Sequence, residues 1–376
     1  MSKNKMDDAY HATILDTRAI AIHPDRYMGW PTICRRKNGE LLVVFSGDRD
    51  LHICPWGKVQ MIRSADNGKT WSKPVNTRNT PLDDRDAGII ETQAGTLVLA
   101  WFTSIGFEEC ARTGYVRNFL PEKVLRLWER HAEKIIPEIR KEYLGNWTVR
   151  SEDGGNTWKK PVRTQGSAPH GMIELGDGRL LYVGRTGDDT AARLTIEEST
   201  DDGRSWQQIG AIPTDEEAPG KWMWEPHVVE NVNGVLVALV RFQDHRNHPD
   251  GGFYYETSFM CQSNSRDGGR TWSVAQKTPM LGFPPHLIRL RNGWLLNVYA
   301  KRMEKIHGQY ACISRDGGKT WDAEQEILLS LAHNADLGYP ASVQLPDDSI
   351  YTVYYQIERR DGENPCIMAT HWKLEM

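Results

Sequence analysis

The chain contains 376 residues, with 46 lysines and arginines against 50 aspartates and glutamates and a formal net charge of −4. This balance argues against a nucleic-acid-binding protein, because there is no excess of cations to neutralise phosphates. No run of about 18 apolar residues is present, so neither a transmembrane helix nor a membrane partner is expected. The 14 tryptophans and 33 glycines are unusually many, and a repeat is therefore the first pattern to examine.

The N-terminal segment, residues 1–10, has no apolar core and no small-residue cleavage site, so it does not read as a secretory signal. A cytoplasmic protein is the expectation for the chain as given, and a periplasmic or secreted one if a signal has been removed. The six cysteines are scattered without any Cys-x-x-Cys spacing. This pattern predicts reduced, buried thiols and no zinc ribbon.

One octapeptide, Ser-x-Asp-x-Gly-x-Thr/Ser-Trp, recurs five times along the chain. Its aspartate can accept hydrogen bonds from nearby backbone N–H groups, its glycine supplies a positive φ, and its tryptophan can pack as a hydrophobic plug. This chemistry predicts a tight turn between two strands. The five copies occupy residues 64–71, 151–158, 199–206, 265–272 and 314–321.

A second repeat of hairpin signals interleaves with the octapeptides. Each of six units contains a small-residue or proline turn, an apolar strand, a Gly- or Asp-containing turn and another apolar strand. Units of roughly 50 to 60 residues match four-stranded propeller blades. We therefore predict an all-β, six-bladed β-propeller as one domain over residues 1–376. An N-terminal strand near residues 12–15 is expected to pair with residues 366–372 and close the sixth blade, which removes an exposed sheet edge.

A helical insertion is predicted over residues 104–145, between the second and third blades. Apolar residues recur at helical spacing after Pro121, through Val124, Leu127, Trp128 and Ile135. Two roles remain open for this segment. It is either a lid over a functional site, or a packing cap or subunit contact through which the chain forms an oligomer.

The octapeptide resembles the Asp box, or BNR repeat, of the sialidase superfamily, and the resemblance extends from about Ile22 to Trp372. It implies a six-bladed propeller whose chemistry lies where the six units begin, around the central channel. Sialidases hold a substrate carboxylate with three arginines, which can bind it bidentately. They use a tyrosine nucleophile activated by a glutamate, and an aspartate as acid and base.

Four positions carry over from that resemblance. Tyr339 resembles the nucleophile, and Glu225 resembles the glutamate that activates it. Arg241 and Arg302 resemble the second and third arginines, with Lys301 as the rival of Arg302. These matches imply a catalytic pair and two groups that hold an anion.

Two departures concern the first blade. The position of the first arginine is occupied by Gly29, so the resemblance implies a divergent enzyme that acts on another sugar acid or acidic glycan. The loop that carries the acid/base aspartate spans residues 46–57 and offers several competing groups. Asp50 or His52 is predicted to be the catalytic acid, and the ordinary pKa of histidine suits proton transfer near neutral pH. The alternative for His52 is that it only braces the loop. The loop also contains Asp48, a rival for the same role, and Arg49, a predicted substrate-binding residue.

The starts of the six units carry polar and aromatic residues, which a purely structural propeller would not require. We predict that they bind substrate, and an ion pair between Arg85 and Asp86 is the alternative for those two. The three histidines occupy equivalent points of successive units and are expected to share one pocket. Their long sequence separation is unspecific for a metal, so neither a metal nor a cofactor is predicted. The set comprises Trp30, Arg85, Asp86, His170, His227 and His286.

The leading hypothesis is a sialidase-like exo-glycosidase that hydrolyses a terminal residue of an acidic or polyhydroxylated glycan. In this hypothesis the partner is a glycan or small sugar substrate. The first alternative is a polysaccharide lyase that acts on a uronate-containing glycan, with a histidine and a tyrosine as base and acid. The second alternative is a non-catalytic glycan-binding propeller, because fold does not determine function.

Overall fold

A computed structural model describes residues 10–187, 192–244, 257–303, 305–358 and 364–375. Within these ranges the strands, in chain order, are β1 (His11–Ala21), β2 (Tyr27–Arg35), β3 (Leu41–Arg49), β4 (Lys58–Ser64), β5 (Val75–Arg78), β6 (Asp83–Glu91), β7 (Leu97–Ser104), β8 (Asn146–Ser151), β9 (Val162–Thr164), β10 (Ile173–Glu174), β11 (Leu180–Thr186), β12 (Arg193–Ser199), β13 (Gln207–Ala211), β14 (Met223–Glu230), β15 (Leu236–Gln243), β16 (Ser258–Ser265), β17 (Gln276–Leu281), β18 (Phe283–Arg289), β19 (Leu295–Met303), β20 (Ile306–Ser314), β21 (Ile327–Leu331), β22 (Gly338–Gln344), β23 (Ile350–Gln356) and β24 (Cys366–Glu375). The helices are α1 (Gly106–Arg112), α2 (Glu122–Ala132) and α3 (Pro137–Tyr143), and short 3-10 turns occupy Tyr115–Asn118, Gly220–Trp222 and Ala323–Gln325.

The strands form six antiparallel sheets of four, and the predicted six-bladed β-propeller is confirmed. Blades one to five are β2–β5, β6–β9, β10–β13, β14–β17 and β18–β21, and blade six contains β22–β24 and β1. The first strands of neighbouring blades contact one another around the ring, for example β2 with β6 and β22 with β2. These inner strands therefore surround the central channel. No helix in the described ranges is long and apolar enough to span a membrane.

The second strand of each blade is buried on both faces, which explains its continuous apolar run. In β3, Leu41, Val43 and Phe45 pack against blade six, whereas Leu42 and Val44 pack against blade two. Successive side chains of a strand point to opposite faces. A strand between two neighbouring blades therefore needs apolar residues at every position, and all five side chains are fully buried.

The repeated octapeptide forms the turn between the third and fourth strands of blades one to five. In the first copy, Ser64 Oγ accepts the Gly68 N–H at 2.9 Å, and Asp66 Oδ1 accepts the Thr70 N–H at 2.9 Å. The Trp71 indole donates back to the Gly68 carbonyl at 3.1 Å. In this copy the motif satisfies its own backbone groups, and its tryptophan packs back onto the turn.

Blade six explains why only five octapeptides exist. Its third strand, β24, pairs with β1 from the other end of the chain, with Ile14 opposite Trp372. No turn joins these two strands, so no octapeptide is needed. The predicted closure by the N-terminal strand is confirmed.

The helical insertion interrupts a blade, and its predicted place between the second and third blades was wrong. Helices α1 to α3 lie between β7 and β8, the second and third strands of blade two. The octapeptide at residues 151–158 follows β8 and joins it to β9, so both strands belong to blade two. Hairpin signals do not reveal which strand an octapeptide follows when a long insertion precedes it.

Candidate active site

Five inner strands carry a bulge at the same point, near the start of the blade. In β18 the register shifts after Phe283. In the other four it shifts around Trp30, Asp86, Glu225 and Tyr339. The φ angles of these residues are 55°, 49°, 52° and 52°. A bulge re-aims a side chain, and a non-glycine residue with positive φ is strained. The fold therefore uses strained backbone to direct these side chains at the channel.

A polar cavity of about 600 Å³ opens at this end of the channel. Side chains from blades one, two, four, five and six line it, together with the loop before β22. The lining residues are His52, Arg85, Asp86, Trp224, Glu225, Arg241, Arg302, Ala335, Asp336 and Tyr339.

Tyr339 and Glu225 form a hydrogen-bonded pair in the cavity wall. The buried Tyr339 hydroxyl donates to Glu225 Oε1, and Arg241 Nη1 donates to Glu225 Oε2 at 2.9 Å. Burial and the nearby Glu225 charge raise the pKa of Tyr339 well above its ordinary value, while Arg241 and Arg302 oppose the shift. Tyr339 is therefore neutral at rest, and Glu225 is placed to receive its proton.

Three guanidinium groups line the same cavity. Arg241 lies over the Phe283 ring at 3.8 Å, and Arg302 Nη2 donates to the Tyr355 hydroxyl at 3.1 Å. Arg85 comes from the second blade and lies over the Trp30 ring at 4.6 Å. The cavity thus contains three positive groups, although the sequence predicts that one arginine of the sialidase set is missing.

Two of these placements bear on alternatives left open by the sequence. Arg302 lines the cavity, whereas Lys301 forms an ion pair with Glu326 and lies over the Tyr310 ring at 4.7 Å. The Arg85 Nε atom lies 4.0 Å from Asp86 Oδ1, beyond hydrogen-bonding distance. Arg85 and Asp86 are therefore neighbours in the wall and only a loose ion pair.

Asp86 is a buried carboxyl whose Oδ1 atom makes no hydrogen bond within the described residues. Its backbone N–H donates to Ser46 Oγ at 3.0 Å. Burial raises the pKa of Asp86 to about 7, Glu225 contributes in the same direction, and Arg85 opposes the shift. Asp86 can therefore hold or release a proton near neutral pH.

His52 and Asp336 form the opposite part of the wall with Tyr27 between them. The Tyr27 hydroxyl donates to Asp336 Oδ1 at 2.7 Å and lies 3.2 Å from His52 Nδ1. Desolvation at the wall lowers the pKa of His52, and Asp336 opposes this shift. Asp336 is absent from the sequence prediction, because it precedes β22 in a loop that carries no recognisable motif.

Six predicted site residues lie outside the cavity lining. Three of them are the channel histidines, and the other three are Asp50, Arg49 and Trp30. Asp50 forms an ion pair with Arg26 and accepts the Trp128 indole N–H at 2.8 Å. Arg49 is fully buried and binds Asp83 with both Nη groups, at 2.5 and 2.8 Å. Trp30 is buried, and its ring packs edge-on against His52 and Tyr339.

The three channel histidines come together, but they line a separate cavity of about 240 Å³ further along the channel. The ring centroids of His170, His227 and His286 are 4.5 to 5.8 Å apart. The Nδ1 atom of His227 accepts the Leu287 N–H at 3.0 Å, and that of His286 accepts the Ser342 N–H at 3.3 Å. Burial lowers the pKa of all three, that of His227 to about 3.

These histidines are therefore neutral near pH 7, and they lie outside the cavity that contains Tyr339 and Glu225. No group of three or more His, Cys, Asp or Glu in the described part of the chain has a geometry that suits a metal ion.

The helical insertion packs against the loop that carries His52. Leu51, Ile53 and Trp56 of this loop share a hydrophobic cluster with Leu125 and Trp128 of α2. The indole of Trp128 also bonds Asp50, two residues before His52. Through these contacts the insertion supports the loop that forms one wall of the cavity.

Comparison with known proteins supports the same architecture. Residues 125–352, more than half of the chain, match the BNR repeat-like domain family. The chain belongs to this family. No curated protein matches this BNR repeat-like chain.

Several solved structures share its fold. A protein of unknown function from Dyadobacter fermentans is 22% identical, with a TM-score of 0.76 over 97% of this chain and 99% of that one. An intramolecular trans-sialidase from Ruminococcus gnavus is 13% identical, with a TM-score of 0.62 over 93% and 94%. An α-L-arabinofuranosidase from Fusarium graminearum is 14% identical, with a TM-score of 0.60 over 95% and 97%. At these identities the likeness establishes the fold and nothing more.

Proposed function

We propose that this BNR repeat-like protein is a glycoside hydrolase that removes a terminal unit from an acidic or polyhydroxylated glycan. The observation that carries the proposal is the hydrogen bond between Tyr339 and Glu225 in a cavity that three arginines also line. The buried Trp30 packs against His52 and Tyr339 and so supports two residues of the cavity wall.

In this proposal Tyr339 attacks the anomeric carbon and Glu225 accepts its proton. The high pKa of the buried phenol makes an unassisted phenolate unfavourable, so the hydrogen bond to Glu225 is what activates the nucleophile. A neutral tyrosine also avoids the repulsion that a carboxylate would meet beside an anionic sugar. Arg241 fixes Glu225 through its second oxygen and keeps the pair aligned.

The arginines support an acidic sugar as substrate. Arg85, Arg241 and Arg302 offer several N–H donors to one cavity, and guanidinium groups bind carboxylates through charge-assisted, often bidentate hydrogen bonds. Arg85 occupies a different blade from the arginine that Gly29 replaces. The substrate's anionic group is thus expected to lie toward blades two, four and five.

Of the three proton donors that the sequence suggests, Asp48, Asp50 and His52, only His52 lines the cavity. Asp50 is turned toward Arg26 and the insertion. The trans-sialidase and the arabinofuranosidase have a similar fold, so glycoside chemistry is compatible with such a propeller.

The test uses methylumbelliferyl glycosides of N-acetylneuraminic acid, glucuronic acid and arabinofuranose, with wild type and a Tyr339→Phe variant. We expect wild type to release methylumbelliferone from at least one of the three, and the variant to lose about a thousandfold or more in kcat/KM. A Tyr354→Phe variant is the control. It removes a buried hydroxyl that bonds Thr370 in the same blade and should leave kcat/KM nearly unchanged.

Three results would overturn the proposal. If Tyr339→Phe turns over the glycosides as fast as wild type, Tyr339 is not the nucleophile. A uronate polymer that yields an ultraviolet-absorbing unsaturated product indicates a lyase. Glycan binding without any product indicates a binding propeller.

A further inference from the structure

A second, smaller cavity adjoins the first. It has a volume of about 280 Å³ and is lined by Phe102, Asn146 and Ser167 together with residues of β11. Asp86, Trp224 and Glu225 line both cavities. The site is therefore two-lobed, with the first lobe around Tyr339 and the arginines and the second lobe between blades two and three.

The two carboxyl groups at the junction of the lobes differ in their surroundings. Both oxygens of Glu225 are engaged, one by Tyr339 and the other by Arg241. The Asp86 Oδ1 atom is buried and makes no hydrogen bond among the described residues, although its residue is held at a strained φ of 49°. Strain of this kind persists where the surrounding structure imposes it, often at functional sites.

A glycoside whose terminal sugar fills the first lobe and whose remainder fills the second would place its glycosidic oxygen at this junction. We propose that the second lobe receives the leaving group and that Asp86 protonates the departing oxygen. This inference rests on the proposed hydrolase activity. His52 lines the first lobe only, so it faces the terminal sugar and not the junction.

The proton balance of the reaction closes with these groups. In the first step the Tyr339 oxygen bonds the anomeric carbon as the glycosidic C–O bond breaks. Glu225 takes the phenolic proton, and the Asp86 carboxyl gives its proton to the departing oxygen. In the second step water displaces Tyr339 from the anomeric carbon, Asp86 takes a proton from that water, and Glu225 returns its proton to Tyr339.

The electrostatic surroundings of Asp86 agree with this role. Burial raises its pKa to about 7, Glu225 and Asp83 add to the rise, and Arg85 and Arg49 oppose it. A general acid works best when its pKa lies near the operating pH. Because the acid must be protonated, kcat/KM is expected to fall as pH rises through about 7.

The experiment compares leaving groups. Dinitrophenyl and phenyl glycosides of the sugar that wild type hydrolyses are given to Asp86→Asn and His52→Gln variants. Dinitrophenolate leaves without protonation, whereas phenolate needs an acid. We expect Asp86→Asn to lose about 100- to 10,000-fold in kcat/KM on the phenyl glycoside and less than about tenfold on the dinitrophenyl glycoside, because kcat/KM reports the step in which the leaving group departs. The decline of kcat/KM near pH 7 should also disappear in this variant. The His52→Gln variant should show no such dependence on the leaving group.

The second lobe is tested with Phe102→Ala on methyl and methylumbelliferyl glycosides of that sugar. KM should rise several-fold for the bulky methylumbelliferyl group only. Three results would overturn the inference while leaving hydrolysis intact. Asp86→Asn could lose kcat/KM equally on both aryl glycosides, or the dependence on the leaving group could appear in His52→Gln instead. Phe102→Ala could also change KM equally for the methyl and methylumbelliferyl glycosides. Wild type that hydrolyses no glycoside would overturn the proposed function and this inference together. The pH profile of wild type keeps the test decisive if Asp86→Asn does not fold.

Discussion

Individual residues at the site hold conformations that their side chains do not favour. Trp30, Asp86, Glu225 and Tyr339 all have a positive φ, which costs of order 1–3 kcal/mol for each residue. The remaining non-glycine residues with positive φ in the described ranges are aspartates or asparagine, which tolerate it better. The fold therefore accepts strain at the positions where a side chain must enter the channel.

Arg85 provides a prediction at this scale. Its positive charge lowers the pKa of Asp86, so an Arg85→Gln variant should raise that pKa. The descending limb of kcat/KM is expected to move above pH 7, and each unit of movement corresponds to about 1.4 kcal/mol. An Arg78→Gln variant is the control, because Arg78 packs on Trp101 and does not line either lobe. A limb that stays in place or moves to lower pH would contradict the assignment of Asp86.

At the level of elements, the octapeptide turns predict how much stability is lost when one of their buried hydroxyl groups is removed. Ser314 is fully buried, and its Oγ accepts the Gly318 N–H at 2.8 Å and donates to Asp316 at 2.9 Å. A Ser314→Ala variant leaves that buried N–H unsatisfied, which should lower the free energy of unfolding by about 1–3 kcal/mol. Urea unfolding measures this loss. The exposed Lys319→Ala in the same turn should change stability by less than about 0.5 kcal/mol, and an equal loss in both variants would argue against the buried bond.

The same turns explain how much of the structure is predictable from sequence. Five octapeptides and six hairpins are local signals, because each turn satisfies its own backbone groups, and they suffice for the propeller. The insertion has a recognisable helix but no local signal for the blade that it interrupts. Asp336 illustrates the limit at the site. It joins His52 only because loops from blades one and six meet across Tyr27, a contact that depends on closure of the ring.

Closure of the whole ring affects both the site and the stability of the fold. The pairing of β1 with β24 closes it and covers a sheet edge that would otherwise attract other chains. The channel then encloses two different groups of side chains, charged ones around the first lobe and the three neutral histidines beyond it. Burial of titratable groups on this scale makes the free energy of unfolding depend on pH in a way that can be traced to particular residues.

The histidines give a prediction for the whole molecule. Burial lowers the pKa of His170, His227 and His286 in the folded state, so the unfolded chain binds more protons below its own pKa near 6.5. Their contribution to stability is present above that pH and is lost as the pH falls. Each histidine should lower the free energy of unfolding by about 2 kcal/mol as the pH falls from 7 to 5. Asp84 and Asp86 act oppositely, because their raised pKa values, both about 7, make the folded state gain protons over the same range.

A variant separates these opposing contributions. In His227→Asn the amide oxygen can still accept the Leu287 N–H, but the group no longer titrates, and the aspartates are unchanged. The free energy of unfolding in urea should therefore fall by about 2 kcal/mol more for wild type than for the variant between pH 7 and pH 5. An exposed His23→Asn control should follow wild type. Parallel curves for wild type and His227→Asn would mean that His227 is protonated or solvated in the folded channel, contrary to its burial.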